Sequence, residues 1–167
     1  MNFCPACGHG LGRRLADGKE RHYCEACDAV HYQDPKVACC VICRMNGGIV
    51  LVQRDIEPAR GLWTAPGGYM DRGETVPEAA IRETREEAGL EVRLDGLVGV
   101  YSYPDSIVVV VVYSGTVTGG ELRPNHECMA ARIFGVDELP WDRLAFRSVR
   151  QGLQDFLSPT FQPRPPY

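Results

Sequence analysis

The sequence predicts an α/β chain in two parts: a short cysteine-bearing module, then a domain of mixed strands and helices. Three observations carry this. Two Cys-x2-Cys pairs fall within the first 27 residues. Short apolar runs bounded by turn residues follow them, as strands require. One stretch, Thr75 to Ala88, carries helix start and stop signals of its own.

A length of 167 residues allows one ordinary domain and a small extra piece. Apolar residues at 44% and charged residues at 24% form a globular balance and exclude global disorder. The net charge of −4 disfavours a broad, non-specific nucleic-acid binder, which needs a basic face, but leaves room for a local basic groove. The longest apolar run, Ile107–Tyr113, has strand length and falls far short of the roughly 18–20 residues of a membrane span. The start, Met1-Asn2-Phe3-Cys4-Pro5, lacks a basic region followed by an apolar one, so no secretory signal is read there. A cytoplasmic protein is expected, and its eight cysteines read as metal ligands or core thiols before disulfides.

Residues 1–34 hold four cysteines and three histidines but few aliphatics. At about 25 cal/mol per Å² of buried apolar surface, such a segment cannot fold unaided. Cys4-x2-Cys7 and Cys24-x2-Cys27, sixteen residues apart, supply the staple. Four thiolates close a tetrahedron around one Zn²⁺, so a structural zinc ribbon with no open coordination position is expected. With four cysteines present, His9, His22 and His31 read as surface or packing residues. The boundary falls near Gln33-Asp34-Pro35, because proline disfavours helix in the residue before it.

The second part runs over 35–157. Val37–Cys43 and Ile49–Arg54 read as strands of a hairpin around Asn46-Gly47-Gly48. Cys39, Cys40 and Cys43 lie in an apolar run and, like Cys128, fit core packing. The helix over Thr75–Ala88 has a Thr75 cap, Pro77 in its first turn, Glu78 completing a capping box and Gly89 as its stop. Leu97–Tyr103, Ile107–Val117 and Met129–Phe134 are further strands. Phe146, Val149, Leu153, Phe156 and Leu157 recur at helical spacing, which predicts a final amphipathic helix. The tail, 158–167, has four prolines in ten residues and is expected to be disordered or extended.

The chemistry concentrates around the first helix. Glu83, Glu86 and Glu87 stand at i, i+3 and i+4 and share one face. Three adjacent carboxylates repel one another unless a divalent cation reverses the sign, and hard Mg²⁺ prefers oxygen ligands. Arg82, four residues before Glu86, can orient it. Glu74 precedes the helix and can fold back, and Gly67, Gly68 and Gly73 allow the loop to turn sharply. Carboxylates, a divalent cation and an open side describe phosphoryl chemistry.

The stretch Gly68-x5-Glu74-x7-Arg82-Glu83-x2-Glu86-Glu87-x-Gly89-Leu90 resembles the box of the Nudix hydrolases over 23 residues. Thr84 departs from it, standing where the family usually has Ile, Leu or Val. The resemblance to a whole Nudix domain covers roughly Pro35 to Leu157 and implies an α/β/α sandwich with a mixed sheet, preceded here by the zinc ribbon. It implies that Glu83, Glu86 and Glu87 bind catalytic Mg²⁺ (or Mn²⁺), that Arg82 orients the catalytic glutamates, and that Glu74 supports the loop or an additional metal. Many members draw a further carboxylate from outside the box, as ligand or general base. Glu127, in Asn125-His126-Glu127-Cys128, is the matching candidate.

The family resemblance implies a nucleoside diphosphate linked to another moiety as substrate. A zinc ribbon before the domain is similar to two groups. NADH diphosphatases carry a Ser-Gln-Pro-Trp-Pro-Phe-Pro-type segment after the box, which this chain lacks. Shorter proteins with a junction like His31-Tyr32-Gln33-Asp34-Pro35-Lys36 resemble ADP-ribose and FAD pyrophosphatases. Trp63, Tyr101 and Tyr103 are candidates to stack a base or flavin, or are ordinary packing. Arg54 and Arg60 are candidates for the pyrophosphate, or surface charges, and Gly68 for close approach to substrate. The expectation is a Mg²⁺-dependent hydrolase of ADP-ribose or FAD that releases AMP, with NADH as the alternative substrate. Its partner is a small dinucleotide, with neither membrane nor nucleic acid expected; a homodimer is compatible with it. A nucleotide sensor that does not cleave is the rival reading, and the retention of every box carboxylate weighs against it.

Overall fold

A computed structural model describes residues 1–165; Pro166 and Tyr167, the end of the proline-rich tail, lie outside the described residues. The chain forms two compact units, Met1–Pro35 and Lys36–Tyr167.

The first unit is a three-stranded antiparallel sheet of β1 (Gly12–Ala16), β2 (Lys19–Cys24) and β3 (Ala29–His31), in that order. No apolar alternation announces these strands, because only one of their fourteen residues, Cys24, is buried and little core stands behind them. The four cysteines hold them instead. Cys4 and Cys24 are buried, Cys7 and Cys27 exposed, and the four sulfurs all lie within 4.8 Å of one another.

The second unit is built on a seven-stranded mixed sheet. Its main path runs β10 (Cys128–Phe134), β5 (Gly48–Arg54), β4 (Lys36–Met45), β9 (Val108–Gly120) and β8 (Leu90–Tyr101). The short strands β6 (Trp63–Thr64) and β7 (Gly67–Tyr69) pair with β5 and β4. The pair β4–β9 is parallel, and the other pairs are antiparallel. Each face of the sheet carries a helix. On β4, Cys39, Val41 and Cys43 join the cluster that contains Ala79, Ala80 and Ala88 of α1 (Val76–Ala88). Cys40 and Ile42 join the opposite cluster with Val149, Leu153 and Phe156 of α2 (Arg147–Leu157). Residues 49–52 of β5 alternate in the same way, so the period of two along each central strand builds an α/β/α sandwich.

The capping box is present at Thr75 and Glu78, and Gly89 ends α1 in the left-handed conformation. Thr84 is fully buried; its hydroxyl donates to the Ala80 carbonyl, which satisfies the one polar atom this residue brings to the core. One predicted strand starts well before its expected bound. Strand β8 begins at Leu90, seven residues before the predicted start, and its first half, Leu90-Glu91-Val92-Arg93-Leu94-Asp95, does alternate. Beyond α2 the tail turns back, and Arg164 forms an isolated bridge with Leu97 of β8, so its described part runs extended along the sheet edge.

Candidate active site

Helix α1 carries the acidic cluster, and its burial is graded. Glu87 is 5% exposed, and its Oε2 accepts a 2.8 Å hydrogen bond from the Gly67 amide. Burial pushes its carboxyl up to about 7, against the pull of that amide and of the Arg54 charge. Glu83 is also raised by burial, with Arg82 opposing. Glu86, half exposed, marks the open side.

Arg82 organises the group. Its Nε and Nη2 hold both oxygens of Glu74 at 2.6 and 3.0 Å, and its Nη1 reaches Glu83 at 2.8 Å and Glu86 at 3.1 Å. Nη2 also donates to the Tyr69 carbonyl at 3.2 Å, which ties the guanidinium to β7. The side chain expected to orient Glu86 therefore grips three carboxylates. Glu74, held below the usual carboxylate range by Arg82 and the Asp71 amide, is committed to the fork. It does not line the cavity described next.

A cavity of about 350 Å³ is lined by Glu83, Glu86, Glu87, Asn125, His126 and Glu127. Glu127 is 39 residues beyond the end of α1 in sequence. The connection between β9 and β10 brings it there: the Glu121 amide donates to Gly89 and the Arg123 amide to Ala88, docking the loop on the end of α1. The Asp55 amide then bonds the Glu127 carbonyl at 2.7 Å, and Asn125 Oδ1 accepts from the Glu127 amide. Asn125 and His126 were not singled out from the sequence, although they stand in the quoted segment with Glu127. Four carboxylates line this cavity, and burial raises those of Glu83 and Glu87, which therefore resist ionisation. That is what a hard divalent metal would relieve.

The structure places the aromatic candidates in packing positions. Trp63 is 5% exposed and packs edge-on against Phe134 at 4.9 Å, and Tyr101 is 6% exposed with its hydroxyl 2.7 Å from Asp155. Both belong to the core cluster on the α2 face, so neither offers a ring face to a ligand. Tyr103 is half-buried, its hydroxyl donating to Gln151 and its ring lying 3.7 Å beneath the Arg147 guanidinium. Arg54 Nε donates to the Pro58 carbonyl, and its guanidinium lies 5.0 Å over the Phe146 ring. Arg60 is paired with Asp55 at 2.7 Å. Gly68 lies against the Glu83 carboxylate.

In the first unit, Cys4 Sγ is 4.0 Å from Cys27 Sγ, and Cys7 Sγ is 3.6 Å from Cys24 Sγ. Burial raises the Cys4 thiol, but hydrogen bonds from Ala6 and Cys7 outweigh it and pull the thiol down to about 6. Its neighbours raise Cys27 to about 12. Four sulfurs crowded at this spacing fit a single thiophilic divalent ion. His31 Nε2 is 3.3 Å from Cys4 Sγ, hydrogen-bonding distance for sulfur, so this imidazole backs the cluster.

Comparison with known proteins agrees with this architecture. The model of the NUDIX domain matches residues 33–155, and that of the Nudix N-terminal zinc ribbon matches residues 2–33. An ADP-ribose pyrophosphatase of Methanocaldococcus jannaschii is 39% identical over 119 residues, 69% of this chain and 69% of its own. A NAD-capped RNA hydrolase of Stutzerimonas stutzeri is 30% identical over 140 residues, 83% of this chain; the chain spans 49% of that relative's length. The crystal structure of a NUDIX hydrolase from Nitrosomonas europaea superposes with a TM-score of 0.90 at 34% identity, covering 99% of this chain and 96% of that one. The chain belongs to the Nudix hydrolase family.

Proposed function

We propose that this Nudix-family chain hydrolyses the pyrophosphate of a nucleoside diphosphate linked to another moiety, with ADP-ribose or FAD as substrate, giving AMP and a phosphorylated remainder. The convergence of Glu83, Glu86, Glu87 and Glu127 on one 350 Å³ cavity carries this reading. The ADP-ribose pyrophosphatase among its relatives supports the choice of substrate.

The residues divide the work. Glu83, Glu86 and Glu87 would hold Mg²⁺, which when bound supplies a Lewis acid toward the phosphate oxygens and lowers the pKa of a water. Arg82 fixes the carboxylates at their working positions, and Glu74 fixes Arg82. Glu127, on the facing wall, accepts the proton of the attacking water on its carboxylate. Arg54, whose charge is felt at Glu87, meets the pyrophosphate with a fork suited to it. The four cysteines hold Zn²⁺ in a structural role. A cytoplasmic setting, where thiols stay reduced, agrees with eight cysteines outside any disulfide, four of them placed to hold the zinc.

A second reading puts the same pyrophosphate at the 5′ end of a dinucleotide-capped RNA. It is favoured by the NAD-capped RNA hydrolases among the relatives, one of which, from Vibrio parahaemolyticus, aligns over 95% of this chain.

The deciding experiment incubates the protein and Mg²⁺ with ADP-ribose, FAD, NADH or a nucleoside triphosphate, and resolves the products by chromatography. AMP from ADP-ribose or FAD is expected; preference for NADH would make NADH the substrate instead, and faster cleavage of a NAD-capped RNA added to the panel would select the second reading. Glu86→Gln should lower turnover by about 100-fold or more while leaving the fold intact. Wild-type turnover in that variant, or no turnover of any substrate by the native chain, would sink the hydrolase assignment.

A further inference from the structure

The main chain of Glu127 is held on both sides of its α-carbon, by partners of different kinds. Its carbonyl accepts from the Asp55 amide at 2.7 Å, a backbone bond indifferent to residue type. Its amide donates to Asn125 Oδ1 at 2.9 Å, a bond that depends on the side chain two residues upstream. The Cys128 amide donates to the Asn125 carbonyl at 3.3 Å and closes the turn. A side-chain oxygen standing in for a backbone acceptor in this way is what Asn and Asp supply in tight turns.

The ladder offers Glu127 little help. Strand β10 starts at Cys128, paired with Arg54, and its register shifts at once, between Cys128 and Ala130. A bulge at this place releases the chain from regular pairing and re-aims the side chains beside it. The next side chain does not hold the carboxylate either: His126 is 88% exposed, and its Nε2 is 3.9 Å from Glu127 Oε1, too far for a hydrogen bond. The direction of the Glu127 side chain therefore rests on the turn that Asn125 makes.

Residue type at 125 fits the site as well as the turn. Aspartate would form the same turn. Asn125, however, lines the cavity together with Glu83, Glu86, Glu87 and Glu127. A fifth carboxylate there would add repulsion, whereas the amide oxygen accepts the same hydrogen bond without a charge.

We propose that Asn125 is the positioning residue for Glu127: its bond to the Glu127 amide aims the carboxylate at the water it deprotonates. Asn125 acts through Glu127 and needs no contact with substrate. The inference rests on the proposed hydrolase reading, in which Glu127 is the base.

The test is steady-state hydrolysis of ADP-ribose, with Mg²⁺, by the native chain, Asn125→Ala, Asn125→Ser, Glu127→Gln and the double variant Asn125→Ala with Glu127→Gln. Asn125→Ala should lower kcat about tenfold or more and change KM less than about twofold, since the displaced group acts in the chemical step. Asn125→Ser keeps a weaker acceptor at the same place and should recover part of the loss. In the Glu127→Gln background, itself slowed about 100-fold or more, Asn125→Ala should cost nothing further, because a positioning effect needs the group it positions. An equal loss from Asn125→Ala in both backgrounds, a change in KM alone, or a lowered melting temperature with native kcat overturns the inference and leaves the hydrolase reading standing. Native turnover by Glu127→Gln removes the base and the inference with it. A native chain that hydrolyses none of the candidate dinucleotides fails the reading itself, which the single variants would not have touched.

Discussion

A β-carbon placed on Gly68 would stand 2.6 Å from the carboxyl carbon of Glu83 and 2.7 Å from each of its oxygens. The backbone of β7 and the side chain of α1 are thus in direct contact, and a glycine at 68 is what lets the helix bring Glu83 to the cavity. Gly68→Ala must push the Glu83 carboxylate aside. Turnover should fall about tenfold to a hundredfold, the usual cost of moving a positioned group by about an ångström. Thermal melting should change far less. A variant that keeps native turnover would show that Glu83 has no positional demand.

The buried Glu87 makes the metal-free protein sensitive to pH. Its carboxyl titrates near 7 in the fold, above the unfolded value of 4.5, so the folded state binds the extra proton between these two limits. Stability should be highest below about pH 4.5 as far as this group is concerned, and be lost as pH rises through 7. The shift corresponds to on the order of 3 kcal/mol. Melting curves in Mg²⁺-free buffer should show this slope, and Glu87→Gln should flatten it and raise the midpoint at pH 8. Added Mg²⁺ should recover stability at pH 8 in the native chain and much less in the variant.

Zinc removal should act on the first unit alone. A three-stranded sheet with a single buried residue has little apolar burial to hold it, so Met1–Pro35 should unfold when the four thiolates lose their ion. Cys24→Ser should do the same, and amide exchange should rise across residues 12–31. The strands of the second unit should keep their protection. Retained protection in the metal-free first unit would mean that its sheet does not depend on the staple.

Trp63 and Arg54 were both candidates for substrate contact; Trp63 is buried and Arg54 is partly exposed. Trp63→Ala opens a core cavity beside Phe134 and should cost about 3–5 kcal/mol of stability. Arg54→Ala removes a charge near Glu87 and should instead raise KM or lower kcat several-fold, with a small change in melting. The reverse pattern would restore Trp63 as a contact residue.

What could be read directly was local. The capping box at Thr75 and Glu78, the Gly89 stop, the i, i+3, i+4 spacing of Glu83, Glu86 and Glu87, and the two Cys-x2-Cys pairs are short-range patterns whose geometry follows from helix pitch and ligand reach. The first-unit strands were not legible, because a metal-stapled sheet has no need of apolar alternation. The early start of β8 was legible in its alternation from Leu90 to Asp95.

Burial and long-range convergence were decided by the tertiary structure. A tryptophan or tyrosine has the same letter whether it stacks on a ligand or fills a core. Only the packing of α2 on the sheet put Trp63 and Tyr101 inside. Glu127 enters the cavity because three backbone hydrogen bonds dock a distant loop on the end of α1 and the end of β5, contacts that no local pattern encodes. Arg82 could be expected to orient Glu86 from its spacing of four. That it grips Glu74 with two nitrogens depends on a loop folding back across β7. The sequence alone determined which groups carry the charge and the metal-binding chemistry, since those are properties of residue type and short spacing. The fold determined which of them meet, because meeting depends on surface buried between elements far apart in the chain.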